Sequence, residues 1–143
     1  MSDAKTEYAM AVIEIKGRSR EDEALARKVR SSYLELRSYG ANWAKANINE
    51  VVAEIAPGAH AEIEGRKICY YNSDRTMVVM ADVAGYLRVA QVTSANSKNK
   101  IHYLDVHGRS ADNYTDENGK QHGRKRSDRN AYTHYRIKHR DEM

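Results

Sequence analysis

Three side chains near the end of the chain are of the types that move protons at a phosphate: Thr133, His134 and Arg136, in the run AYTHYRIKH over 131–139. A histidine exchanges protons near neutral pH. An arginine can hold a phosphate through two parallel hydrogen bonds. Read as a strand, the run puts Tyr132, His134, Arg136 and Lys138 on one face, with His134 and Arg136 about 7 Å apart on a solvated side. Such a pair is the minimum equipment for metal-independent cleavage of RNA, in which a base activates the ribose 2′-hydroxyl and a cation stabilises the charged phosphorane. It equally suits another phosphate ester, or phosphate binding without chemistry.

Two more runs carry groups of this kind. In HYLDVHG (102–108), Asp105 and His107 share a strand face and can form an orienting carboxylate–imidazole pair. The same spacing offers two ligands to a divalent metal, but no third is identifiable and no Cys/His spacing resembles a zinc site, so neither metal nor other cofactor is expected. The plainer reading is a turn-capping Asp and a solvent-facing His before Gly108. In GYLRV (85–89), Arg88 interrupts an apolar strand. On a wet face it would meet His134 across neighbouring strands.

Charge is concentrated around these residues. Between Lys120 and Arg140 there are eight Lys or Arg and one acid, Asp128, a local charge of +7 against +4 for the whole chain, so the remainder is net acidic. Five of the six histidines also fall between His102 and His139. A basic surface rich in His and Tyr suits a polyanion, with Arg124, Lys125, Arg126, Arg129 and Lys138 as the expected nucleic-acid contacts. The alternative is an ordinary solvated basic loop.

The elements that must position these groups follow from periodicity. Ala4, Tyr8, Ala11, Val12 and Ile15 favour a helix over 3–16 ending at Gly17, although VIEIK also alternates like a strand. Residues 19–39 read as a helix capped by Ser19 and stopped at Gly40. A third helix is expected from Asn42, with Trp43, Ile48, Val51, Val52 and Ile55 on its apolar face and the sole proline, Pro57, at its end. From Ala61 the period changes to two. AEIE, RKICYYN, TMVVMADV, YLRVAQVT and KIHYLDVHG read as strands joined by tight hairpins, with TMVVMADV central. Residues 108–130, almost without apolar side chains, read as a long mobile loop before the last strand. The expected fold is one α+β domain over 1–143. Its helical part (about 1–58) packs on an antiparallel meander of four to six strands (about 61–140).

Composition limits the alternatives. The chain has 143 residues, enough for one domain with a real core, and 31% of them are charged. There is no Phe, so ten Tyr and one Trp carry the aromatic burial and bring polar tips that need partners. The single Cys69 excludes an internal disulfide framework and reads as a buried small hydrophobe. No apolar run approaches a membrane span, and MSDAKTEYAM lacks the basic and apolar regions of a signal peptide. The chain is expected in the cytoplasm, or delivered into a target cell by a route its sequence does not show.

The order of features over roughly 62–140 resembles a known group. A strand with GYLRV, a strand ending YLDVHG, a polar loop with GRKRSDRN and then THYRI resemble the C-terminal toxin domains of phage and bacterial polymorphic toxins, the barnase/EndoU/colicin/RelE-like ribonucleases. That resemblance implies helices before a small antiparallel sheet and RNA cleavage without metal. It places Arg88, Thr133, His134 and Arg136 on the catalytic face, and it implies a cognate inhibitor protein as a second partner beside RNA. The competing expectation is a non-catalytic module, such as a phage-encoded inhibitor or a nucleic-acid-binding protein.

Overall fold

The computed structural model describes residues 3–19, 43–95 and 98–138. They form an α+β fold whose elements run α1 (Ala4–Ser19), β1 (Lys45–Ala46), α2 (Ile48–Ile55), β2 (Glu62–Glu64), β3 (Lys67–Tyr71) and β4 (Met77–Asp82), followed by β5 (Tyr86–Ala95), β6 (Lys98–Leu104), β7 (Asn113–Thr115), β8 (Gln121–Gly123), α3 (Arg126–Thr133) and β9 (Tyr135–Ile137). The helix expected over 19–39 falls, apart from Ser19, outside the described residues.

The ambiguous first segment is helical. Asp3 starts it, its carboxylate accepting the Thr6 N–H at 2.8 Å. Tertiary contacts then hold it: Tyr8 donates to the Asp82 carbonyl and Tyr70 donates to the Ala4 carbonyl, each at 3.0 Å. These bonds also give a half-buried phenol and a buried one their partners. Gly17 does not stop α1, which continues to Ser19.

The next helix begins later than its apolar pattern implies. Asn47, not Asn42, starts α2, its side chain accepting the Asn49 N–H at 3.0 Å. The reason lies upstream. Lys45 and Ala46 pair in parallel with Arg136 and Ile137, and the Arg136 N–H donates to the Ala44 carbonyl at 2.8 Å. A sheet partner satisfies the backbone that would otherwise open the helix.

Strand β5 organises the sheet. One edge pairs with β4; the other is shared, Tyr86 and Leu87 pairing with β9 and Val89–Ala95 pairing with β6. Among the described residues the main sheet has seven strands, more than expected, and its β1–β9 pair is parallel. One face carries Ile68, Tyr70, Val79, Ala81, Leu87 and Val89, which share a core with Ala11 of α1 and Ile48, Val51 and Val52 of α2. Cross-strand partners lie on the same face. Register therefore lines up Lys67, Asp82, Tyr86 and Arg136 on the opposite face, with Cys69, Met80 and Arg88 in the next row. Cys69 is 2% exposed, and burial pushes its thiol up to about 12.

Residues 108–130 are not one long loop. They contain the β7–β8 hairpin and the start of α3. The hairpin closes on Asp116, whose carboxylate accepts the Asn118 and Lys120 N–H groups at 2.9 Å, with Gly119 at φ +81°. Polar turn chemistry thus does the ordering that apolar anchors would do elsewhere. The last strand is correspondingly shorter than AYTHYRIKH, since Ala131–Thr133 belong to α3.

Candidate functional site

Helix α3 turns one face toward β6. Arg126, Arg129, Asn130 and Thr133 are spaced i, i+3, i+4 and i+7, so they form a single stripe. This stripe, together with Arg88, His102, Tyr103 and Asp112, lines an open cleft of about 240 Å³. Arg88 comes from β5, and its guanidinium lies 3.2 Å from the Tyr103 ring centroid. Asp112, just before β7, has its two oxygens directed to different partners: His102 Nε2 at 3.0 Å and an Arg129 guanidinium nitrogen at 3.8 Å. If His102 Nε2–H donates to Asp112, the Nδ1 lone pair remains to take a proton. The cleft thus joins three arginines, a carboxylate-oriented imidazole and a hydroxyl.

His134 lies beside this cleft, but not on a wet strand face. It is 6% exposed, at the junction of α3 and β9. Its ring stacks on Trp43 at 4.6 Å and sits 5.7 Å from Tyr86. Its Nδ1–H donates to the Asn130 carbonyl at 2.7 Å. Burial, with the Arg88 charge adding to it, pulls its pKa from 6.5 down to about 4, so the ring is neutral at pH 7. The sequence pattern missed this because Thr133 ends a helix: the two-residue alternation that would expose His134 starts only at Tyr135. Thr133, also buried, donates its hydroxyl to the Asn130 carbonyl at 3.3 Å.

A second pocket, of about 160 Å³, lies on the His134 side and is lined by Arg66, Lys67, Asp82, Tyr86, Arg88 and His134, with Met80. Arg66 pairs with the buried Asp82 carboxylate at 3.2 Å. Arg88 lines both pockets, so the structure brings Arg88, Thr133 and His134 together as neighbours around one guanidinium.

The remaining candidates are spread out. Arg136 shares the Tyr86 face by register but lines neither pocket. His107 is elsewhere, its Nδ1 3.2 Å from Glu54 on α2. Asp105 does not orient it: the carboxylate accepts the His107 and Arg109 N–H groups at 2.9 Å, the turn-capping arrangement. Of the basic candidates, Arg126 and Arg129 line the cleft and Lys125 is exposed just before α3. Arg124 donates to the Ala111 carbonyl at 3.1 Å and lies over Tyr132. Lys138 is half-buried and donates its N–H to Ala46. Sequence reasoning passed over His102 and Asp112. Ten residues separate them, and only the return of the chain after β6, marked by the Leu104–Ser110 bridge, brings them together.

Among the described residues, no three His, Cys, Asp or Glu side chains converge as a metal site, and no helix is long and apolar enough to cross a membrane. Comparison of the chain with protein-family models, curated proteins and solved structures finds no match.

Proposed function

We propose that the chain is a metal-independent ribonuclease acting in the β6–α3 cleft. The observation that carries this reading is the convergence of Arg126 and Arg129 with the His102–Asp112 pair on one open surface, beside Arg88. His102 takes the proton from a ribose 2′-hydroxyl, and Asp112 stabilises the imidazolium that forms. The 2′-oxygen attacks the adjacent phosphorus. The arginines meet the charge that develops on the phosphorane, and the leaving 5′-oxygen takes its proton from water in the open cleft. His134 is not assigned the proton transfer, because a neutral ring with a pKa near 4 is a poor base at pH 7. It positions the end of α3 through Asn130 instead. The resemblance of GYLRV, YLDVHG and THYRI to toxin ribonucleases supports the same reading, with a cognate inhibitor as the partner that would close such a cleft.

A second reading, a non-catalytic RNA-binding module, is favoured by the burial of His134 and by the engagement of Asp112 with Arg129 as well as His102. Incubation of the protein with end-labelled RNA in excess chelator decides between them. The proposal expects products ending in 2′,3′-cyclic phosphate, and their loss in His102→Ala with binding retained. Binding without any cleavage, at high protein concentration and over hours, overturns it in favour of the module.

A further inference from the structure

Beside the cleft, four flat groups from β7, β8, the link after β8 and α3 stand in series. The His122 ring of β8 stacks on Tyr114 of β7 with centroids 5.3 Å apart and planes within 24°. The Arg124 guanidinium lies 5.9 Å from the Tyr114 ring centroid and 3.9 Å from that of Tyr132 on α3. Tyr114 and Tyr132 are nevertheless 44% and 49% exposed. Ile101, which lines the cleft, is 50% exposed, so three of the four most exposed large apolar side chains among the described residues lie in or beside this region. Their surroundings are cationic: Lys125 lies just before α3, Arg126 begins it, and Arg129 sits three residues before Tyr132, on a neighbouring part of the helix surface.

Exposed apolar surface in a basic field selects for a ligand that is both flat and anionic. We propose that the Tyr114–Tyr132 surface is a stacking platform for unpaired bases, so that the molecule takes single-stranded RNA in preference to duplex. The bases lie on the two tyrosine rings while the backbone runs past Arg126 and Arg129 into the cleft. A duplex hides its base faces and offers only phosphates, which the arginines hold without help from the rings. This inference names the substrate class of the proposed ribonuclease and rests on that reading. A ladder that only seats the hairpin on α3 would predict no such preference.

The test is binding of the full chain to 2′-O-methyl RNA, which cannot be cut by 2′-oxygen attack, read by fluorescence anisotropy. Three probes are compared: a 12-nucleotide single strand, the same strand with abasic sites, and its blunt duplex. The platform predicts the base-bearing single strand as the tightest ligand. Tyr132→Leu and Tyr114→Leu each weaken that ligand about tenfold, the usual worth of one base–aromatic stack, and leave the other two unchanged. Tyr132→Trp restores the preference. Circular dichroism and melting of each variant separate lost rings from a lost hairpin. Equal affinity for all three probes, or unchanged single-strand affinity in folded leucine variants, overturns the platform. Base-dependent binding by a protein that never cuts ordinary RNA would leave the platform standing and remove the ribonuclease.

Discussion

His102 and His134 each line a pocket that Arg88 also lines, but they are opposites in chemistry, and the difference is one of environment. His102 has a half-exposed carboxylate partner and lines an open cleft. His134 is sealed against Trp43 with Arg88 nearby. Replacing His102 with Ala should lower RNA cleavage by about two to four orders of magnitude, the usual worth of a general acid–base group, without weakening binding by a comparable factor. Single-turnover cleavage beside anisotropy checks this; equal losses in both would make His102 a binding residue. His134 should report on stability instead. Its folded pKa of about 4 lies below the ordinary 6.5, so the unfolded chain takes up a proton that the folded chain refuses. Stability is therefore complete above pH 6.5 and falls as the pH drops toward 4, by roughly 3 kcal/mol in all. Urea denaturation at pH 7, 5.5 and 4.5 should show that slope, and His134→Gln should flatten it. A parallel pH profile in the variant would mean that the imidazole is not sealed. The sequence made the types of these residues visible and hid their surroundings: Trp43 and His134 are 91 positions apart, and nothing local foretells their stacking.

At the scale of elements, strands that pair with the next run along the chain were legible. The β3, β4 and β5 runs are apolar stretches bounded by short turns, and they form consecutive antiparallel pairs where those stretches put them. The segments that were misread depend on contacts that hydrophobic periodicity does not show. Lys45 and Ala46 become a strand because Arg136 and Ile137 come alongside, and 108–130 gains structure from Asp116 turn bonds and the packing of Arg124 on Tyr132. The same dependence made the cleft hard to foresee, since it needs α3 where a continuous strand was expected. Gly108 tests how tightly the chain is held where it leaves β6. It sits at φ +79°, and an added Cβ would meet Ile55 Cδ1 at 3.0 Å and Met77 Cε at 3.2 Å. Gly108→Ala should cost at least about 1–2 kcal/mol, because left-handed strain and crowding against α2 act together. Thermal denaturation checks it. A melting temperature equal to that of the parent chain would show that the 105–109 turn moves freely away from α2.

Across the whole molecule, charge is segregated rather than high: +4 in total, with +7 between Lys120 and Arg140. The fold divides that basic segment into groups with different work. Arg124 is held by Tyr132 and the Ala111 carbonyl, and Lys138 is half-buried, whereas Lys125, Arg126 and Arg129 are exposed at the start of α3 and along the cleft. Neutralising these three to Gln should therefore remove the phosphate contacts without unseating the hairpin. Each lost contact with a single strand lowers the dependence of log affinity on log salt by about 0.7, so the triple variant should show a slope smaller by about 2. Its affinity should fall for all sequences alike, since phosphate contacts carry no base information. Arg124→Gln should behave differently, loosening the hairpin and lowering the melting temperature. A control that removes positive charge from the opposite face of the sheet, at Lys5 on α1, should leave the slope where it was. Titrations of RNA binding between 50 and 300 mM salt measure all of these. If the distant control flattens the slope per charge as much as the α3 variant does, binding follows net charge and no localised phosphate track exists. If only the α3 variant does, counterion release is confined to the cleft in which the His102–Asp112 pair sits.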